Sequence, residues 1–484
     1  MGVLGAGLSG VLMGMQLKRA GYDDFVIYEK AEDVGGTWLR NTWPGLHCDV
    51  PSHLYCYSFE PNPDWSMSYA GQPEIQAYIR SCAEKYGLLE HLEFGACVDK
   101  ASYDEDQGVW IIETASGESH QHRVLVSATG GLTEPNFPPI EGLAEFSGLS
   151  WHSGAWRHDV DLSGLRVAIV GSAASAITVV PEVVKHAREA YVFQRSPNWV
   201  MPRNNVTFSA EQKEAFKDKA VHGKYWRQLY RGSTLMYRTF LRDEDAIDTM
   251  RRVGMKHMRT AIDDPELIKS LTPDYEPGCK RIVVSDDYYP ALAQTHAHLI
   301  PHAVSGLSPT GVIAVDGSET PVDVVIFCTG YKLGGRADGK PAIEVYGRSG
   351  KRLAAALAQR PESYRGVAVP GFPNYFTVCG INGVAAYTSL FYSAEICTEF
   401  ITKRVGEIVC GDLKSMEVEA EETRRYNEEI QSRLQEMSWA TGQCTNFYRD
   451  STGRVLSFHP NTLGRMRREL REVGSRDFIL EHNH

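Results

Sequence analysis

The stretch "VLGAGLSGVLMGMQLKRAGYDDFVIYEK", Val3–Lys30, reads as a strand, a glycine turn, a helix and a second strand. Gly5, Gly7 and Gly10 form the pattern G-x-G-x-x-G. In such a unit the first glycine permits a tight turn and the second lets a pyrophosphate approach the backbone. The third lets helix and strand pack closely. The helix N-terminus adds free N–H groups and the positive end of a dipole. The second strand ends at Glu29, 24 positions after Gly5, where a carboxylate accepts hydrogen bonds from ribose hydroxyls. Strand, loop, helix and acid agree on an α/β fold with a Rossmann-like, dinucleotide-binding domain.

A second unit follows. "LRVAIVGSAASAITVVPEVVKHAREAYVFQRSPNW", Leu165–Trp199, carries Gly171, Ala173 and Ala176 in the pattern G-x-A-x-x-A, with Ser172 and Ser175 in the same loop. The methyl group of Ala173 points where a pyrophosphate would approach. Arg195 stands 24 positions after Gly171, in the slot that Glu29 fills in the first unit. A carboxylate repels a 2′-phosphate and a guanidinium binds one. The first site therefore suits FAD or NAD and the second NADP, with Ser196 a further donor. The alternative for Arg195 is a solvated charge at a strand end. Only four residues precede Gly5, against the six of Leu165–Val170 before Gly171, so the first strand is short.

Composition narrows the class. Of 484 residues, 43% are hydrophobic and 23% charged, as in soluble globular chains of two or three domains. A net charge of -11 argues against nucleic-acid or anionic-membrane partners. The uncharged run from Gly2 to Leu17 lacks a basic flank and holds the glycine fingerprint, so it reads as folded structure and not as a signal peptide. Ten cysteines are scattered without a C-x-x-C pair. They predict free thiols and a reducing, cytoplasmic setting. His296, His298 and His302 lie close in sequence without a carboxylate or Cys at ligand spacing, so no metal is expected. "EHNH", Glu481–His484, reads as a loose tail.

Further motifs accumulate in order. "GGTW" (Gly35–Trp38, with Gly36 and Thr37) follows the first unit, then "PGLHCDVPSHLYCYSF" (Pro44–Phe59). "SATG" (Ser127–Gly130) and "FCTGY" (Phe327–Tyr331, with Thr329 and Gly330) each end an apolar strand. "FQRSPNW" (Phe193–Trp199) and "GCKR" (Gly278–Arg281) complete the set. "FSGLSWHSGAW" places Phe146, Gly148, His152 and Trp156 in F-x-G-x-x-x-H-x-x-x-W. This series resembles the two-domain flavoprotein monooxygenases, and the last stretch is similar to the fingerprint of the type I Baeyer–Villiger monooxygenases. Two departures stand out: Arg157 follows the Trp where the family has Pro or Asp, and Ile381 in "FTVCGINGVAAYTS" (Phe376–Ser389) replaces a Pro.

The resemblance implies two Rossmann-like domains, for FAD and for NADP, with a helical insertion. It implies FAD and NADPH as cofactors, and a ketone and O2 as substrates. Oxygen would be inserted beside the carbonyl through a flavin peroxide, giving an ester or lactone. Arg281 matches the family's catalytic arginine and Asp49 an active-site acid that also lies at the cofactor; Lys280 would help bind NADP phosphate. Phe146, Gly148, His152 and Trp156 would couple the domains; a plain packed linker is the alternative. A surface ion pair is the alternative for Arg281 and Asp49. Two other functions stay open, an amine- or sulfide-oxygenating flavin monooxygenase and an FAD-binding protein without turnover. Ketone identity and oligomeric state are not readable.

The chain divides accordingly. Residues 1–131 would begin the FAD domain, 132–145 would be a Pro- and Gly-rich linker and 146–206 would begin the NADP domain. Residues 207–279 would form the helical insertion, opened by a capping box at Ser209–Gln212. Trp226, Leu229, Tyr230, Met236, Tyr237 and Phe240, then Ile247, Met250, Val253 and Met258, recur there at helical spacing, which predicts core more than a substrate channel. Residues 280–333 would complete the NADP domain and 334–484 the FAD domain, with a linker at 333–342 and a helix over Ser393–Val409.

Overall fold

The computed structural model describes residues 1–332 and 341–483. The predicted linker at 333–342 falls almost wholly outside the described residues. Two five-stranded parallel sheets are laid out alike. In the first, the strand Gly2–Leu4 lies between Val26–Tyr28 and Leu125–Ser127, with Leu92–Glu93 and Tyr375–Thr377 at the edges. In the second, Arg166–Val170 lies between Glu189–Phe193 and Val324–Phe327, with Ala297–Ile300 and Leu149–His152 at the edges. Each glycine loop thus leaves the central strand of its sheet, where helices on both faces bury the apolar strand residues.

The first helix, Leu8–Arg19, is buried continuously from Gly10 to Leu17 because it is enclosed on several sides. The helix Leu390–Val409, capped by Ser389 and starting three residues before the predicted one, packs beside it. Close packing explains Gly10: a Cβ there would lie 1.8 Å from the Gly5 carbonyl oxygen. Each half also carries an antiparallel meander. One is Val98–Asp104, Val109–Thr114 and Ser119–His122; the other is Val304–Ser308, Gly311–Ala314 and Glu319–Pro321.

Four helices fall within the expected insertion: Ala210–Phe216, Lys219–Phe240, Glu244–Ala261 and Pro265–Leu271. The capping box is present at Ser209 and Gln212. The insertion straddles the two halves. Phe208, Phe216 and Phe240 belong to the core of the first half, joined by Trp226, Leu229, Tyr230, Met236 and Tyr237. Met258, Ile262 and Leu271 belong to the core of the second half. Val253 departs from the predicted stripe and is exposed.

Two expectations are corrected. Glu481 and His482 do not hang free: the strand Phe478–His482 pairs antiparallel with Leu413–Val418, and Ser415 donates to Glu481 at 2.7 Å. The short polar tail gave no period-two pattern from which to read this pairing. The ten cysteines are not all thiols either, because Cys279 and Cys444 form a disulfide across 165 positions. A spacing so long leaves no local signature. The other eight are free. Among the described residues no three His, Cys, Asp or Glu are grouped to hold a metal, and no helix is long and apolar enough to cross a membrane. His296, His298 and His302 go separate ways, to the Val184 carbonyl, Glu189 and Asp316.

Denatured without reductant, the protein should release eight thiols to an aromatic disulfide reagent, and ten after reduction. Ten before reduction would show that the bridge does not form.

Candidate active site

The two phosphate loops share one backbone design. Gly7 and Ala173 precede the helices Leu8–Arg19 and Ala174–His186 in extended conformation, and neither helix has a side-chain cap or an acidic residue in its first turn. The orphan N–H groups of both N-termini are therefore left to an incoming anion. Glu29 is buried, and its carboxylate accepts from the Ala6 N–H at 2.7 Å and the Ala31 N–H at 2.9 Å. These bonds fix the acid beside the loop and leave further lone pairs on both oxygens. Gly35 bridges to Gly7, and the short helix Thr37–Arg40 starts after Gly36. Trp38 is buried there and donates its indole N–H to the Tyr55 hydroxyl at 3.0 Å.

Around the second loop, Ser172 donates to the Ser196 carbonyl and Asn198 to the Ser172 carbonyl, tying the loop to the strand end that bears Arg195. Ala173 is exposed and Ala176 buried. Lys280 reaches the Ser196 hydroxyl at 2.7 Å and lies over the Tyr275 ring. Its pKa is lowered, first by burial and then by the nearby Arg195 charge. Arg195, Ser196 and Lys280 thus make a cationic, donor-rich cluster of the kind that takes a phosphate.

Asp49 and Arg281 come from opposite halves and meet. Arg281 approaches Asp49 Oδ2 through Nε at 2.7 Å and through Nη2 at 2.5 Å. The Asp49 charge holds the Arg281 pKa above its ordinary value, and burial opposes this only in part. Arg281 is densely surrounded, yet half of its side-chain surface is open, the combination expected at the bottom of a cleft. Its Nη1 makes no bond to Asp49. One group of residues escaped the sequence reading. Ser438 donates to the Gly278 carbonyl and Asn446 to the Cys279 carbonyl, while Tyr448 lies against Arg281 with its pKa pushed up to about 12 by burial. With the Cys279–Cys444 bridge they hold the segment that carries Arg281. Nothing local marks them, since their partners lie over 150 residues away.

The fingerprint stretch is no linker strand. Leu149–His152 forms an edge of the second sheet, in parallel register with Val324–Phe327. From this edge it touches both chain crossings. These crossings pair with each other, Glu134–Pro135 against Tyr331–Lys332, with the Thr329 hydroxyl donating to the Asn136 carbonyl and the Asn136 N–H to the Gly330 carbonyl. The buried His152 ring stands edge-on to Phe137 of one crossing and Tyr331 of the other, at 5.6 and 5.4 Å. Burial lowers its pKa. Its Nδ1 accepts from the Gly154 N–H. Trp156 packs edge-on against Trp151 in the second core. Tyr331 in turn donates to Asn41 of the first half at 2.7 Å.

A family model described as flavin-binding monooxygenase-like matches residues 1–335. The chain belongs to this family. A Baeyer-Villiger monooxygenase of Pseudomonas aeruginosa is 36% identical over 99% of this chain and 90% of its own. One of Streptomyces coelicolor is 37% identical over 97% of this chain and 90% of its own. Among solved structures, an oxidized steroid monooxygenase bound to NADP aligns with a TM-score of 0.88 and 27% identity, covering 100% of this chain and 99% of that one. A cyclohexanone monooxygenase from Rhodococcus sp. Phi1 bound to NADP+ also gives 0.88, with 25% identity and coverages of 100% and 99%.

Within this member of the flavin-binding monooxygenase-like family, Gly148 is a steric necessity. A Cβ there would fall 2.4 Å from the Asp323 carbonyl oxygen and 2.5 Å from the Phe146 ring. Gly148→Ala should destabilise the protein by about 1–3 kcal/mol through overpacking. The measurement is the urea midpoint at unchanged slope, and an unaltered midpoint would show that the edge strand yields without cost.

Proposed function

We propose that this chain is an FAD- and NADPH-dependent Baeyer–Villiger monooxygenase that inserts one oxygen atom of O2 beside a ketone carbonyl, giving an ester or lactone. The observation that carries the reading is the Asp49–Arg281 pair, set between one nucleotide loop with an acid at its strand end and another with a cationic cluster. When bound, FAD and NADPH supply the hydride and the activated oxygen. In our reading residues 1–131 and 334–484 form the FAD domain and 146–206 with 280–333 the NADP domain, joined through 132–145 and overlaid by the 207–279 insertion. The cytoplasm is our reading of its location, supported by the eight free thiols.

The residues have separate tasks. Gly5, Gly7, Gly10, Gly36, Thr37 and Trp38 line the FAD side, and Glu29 reads its ribose. Gly171, Ser172, Ala173, Ser175 and Ala176 present the second helix N-terminus to the NADPH pyrophosphate. Arg195, Ser196 and Lys280 take the 2′-phosphate. Thr329 and Gly330 also bind cofactor at the crossing, where Phe146, Gly148, His152 and Trp156 keep the two domains in register. Arg281 stays protonated at any working pH and offers its free N–H groups to negative charge developing on the reacting oxygens. Asp49 orients the guanidinium by holding its Nε and Nη2 edge.

Arg281→Ala should keep FAD and NADPH-driven flavin reduction but lower ester formation by about a hundredfold to a thousandfold, the loss for one well-placed donor. Undiminished product would remove Arg281 from the chemistry. Offered ketones and thioethers together, the enzyme should form ester or lactone; sulfoxide alone would establish the other flavin monooxygenase reaction.

Arg195→Ala should weaken NADPH by about tenfold or more while NADH changes little. Because the Lys280 pKa is lowered, its charge is lost on the alkaline side earlier than a free lysine's. The ratio of NADH to NADPH dissociation constants should therefore fall as pH rises toward the ordinary lysine range, and Lys280→Arg should hold it level. A ratio independent of pH in the unsubstituted enzyme would place Lys280 outside the phosphate site.

A further inference from the structure

Close in sequence to Asp49 lies an open groove of about 600 Å³ between the Pro51–Tyr69 region and the first two helices of the insertion. Pro51, two positions after Asp49, is in its wall. Four rings line it, Tyr69, Phe208, Phe216 and Tyr225. Three of them, Phe208, Phe216 and Tyr225, pack against the His53 ring, whose Nδ1 meets His222 Nε2 at 3.1 Å. Burial pushes the His53 pKa down to about 3, so this support is uncharged.

The charges on the wall all have one sign. Arg203 and Lys224 line the cavity and no carboxylate does. Arg203 is only 9% exposed, and its Nε has no partner. Asp286 does not neutralise it by direct bonding, because that carboxylate accepts the backbone N–H groups of Arg203, Asn204 and Asn205. Asp287 reaches Nη2 only at 3.4 Å from a side chain that is 63% exposed. The Asp286 and Asp287 charges meet that of Arg203 in part, but its Nε is a buried donor without a partner. Tyr69 stands between the two centres: burial raises its pKa to about 12, the Asp49 charge adds to the shift and the Arg203 charge opposes it.

The geometry points to a binding site for an amphipathic organic acid, its apolar body among the four rings and its carboxylate on Arg203, with Lys224 as the outer cation. The acid can be the far end of the oxygenated substrate, which would make the substrate a keto acid and rests on the proposed function. It can also be a separate carboxylate bound beside the reaction, which does not. Ring walls with a single buried fork of donors suit a planar carboxylate better than a compact phosphate dianion.

Calorimetry on the FAD-loaded full chain tests the site with phenylbutyrate and its uncharged amide. The acid should bind at least about tenfold more tightly than the amide, a difference of about 1.4 kcal/mol. Arg203→Met should abolish that preference. Ala215→Trp, which adds bulk at a second lining position and leaves Arg203 unsubstituted, should weaken binding of both probes by about tenfold or more. Equal affinity for acid and amide, or acid binding undiminished in Ala215→Trp, would overturn the proposal. Its source is read separately, from a linear keto acid and its methyl ester. A KM lower for the acid by about tenfold, lost in Arg203→Met with kcat unchanged, identifies the substrate's own end. Binding of phenylbutyrate without that difference identifies a separate acid. If no ketone is oxygenated at all, the proposed function fails and the calorimetric result still decides the site.

Discussion

Arg281 and Asp49 are 232 positions apart and belong to different halves of the chain, and their ion pair spans the seam on which the arrangement depends. A lone guanidinium at the bottom of a cleft is costly to desolvate, and a lone carboxylate is as well. Each offsets the other only while the halves keep their relative position. The structure supports that position with several bonds across the same seam. Trp43 donates to Thr178, Thr42 meets His158, and Tyr331 donates to Asn41. Further along, Asn205 accepts from the Ser68 hydroxyl and the Tyr69 N–H. These contacts are polar side-chain bonds.

The fingerprint residues add to this at a different level. His152 does not face the phosphate loops' donors; it wedges between the two crossings and is held there by its own turn through Gly154. The two crossings pair antiparallel over two residues each. Burial lowers the pKa of the histidine at this edge, which suits the packed, uncharged junction role proposed for it.

Much of this was legible in the sequence because the decisive signals are local. A glycine loop with its strand, helix and terminal acid or arginine occupies some thirty consecutive residues, and both units fold as their patterns require. Glu29 is readable for the same reason, but equal spacing misplaces Arg195 by one residue: the Gly5 N–H bonds the Tyr28 carbonyl and the Gly171 N–H the Phe193 carbonyl, so the buried Gln194 takes the position of Glu29 and Arg195 stands one residue further on. The tether of Arg281 was not legible. Ser438, Asn446, Tyr448 and Cys444 reach the Gly278–Arg281 segment from a loop that no periodicity connects to it. The C-terminal strand failed for a related reason, since its partner strand lies about sixty positions earlier and its own residues alternate too little to announce a sheet. The acid-binding cavity combines both difficulties. Its walls come from three separated segments, and the state of Arg203 is defined by which acceptors are absent, a property that only the assembled chain has.

The alanine at position 173 shows how far a motif departure should be weighed before the backbone is known. The first position of the loop cannot vary in this way. Gly171 has φ of +121°, and a Cβ would lie 2.5 Å from the Cys328 carbonyl oxygen, so a side chain is excluded twice, by conformation and by contact. Ala173 has φ of -89° and ψ of -165°, ordinary extended backbone that any residue adopts, and it nearly repeats the -68° and -173° of Gly7. The chain therefore accepts the methyl group without strain, and the two loops keep one shape. What changes is only the outer face, where Ala173 is exposed and Gly7 is not bulkier than its backbone. The substitution acts on the ligand's approach alone. In the proposed reading, a dinucleotide anchored also by Arg195, Ser196 and Lys280 would shift by the thickness of a methyl group at this loop and keep both anchors.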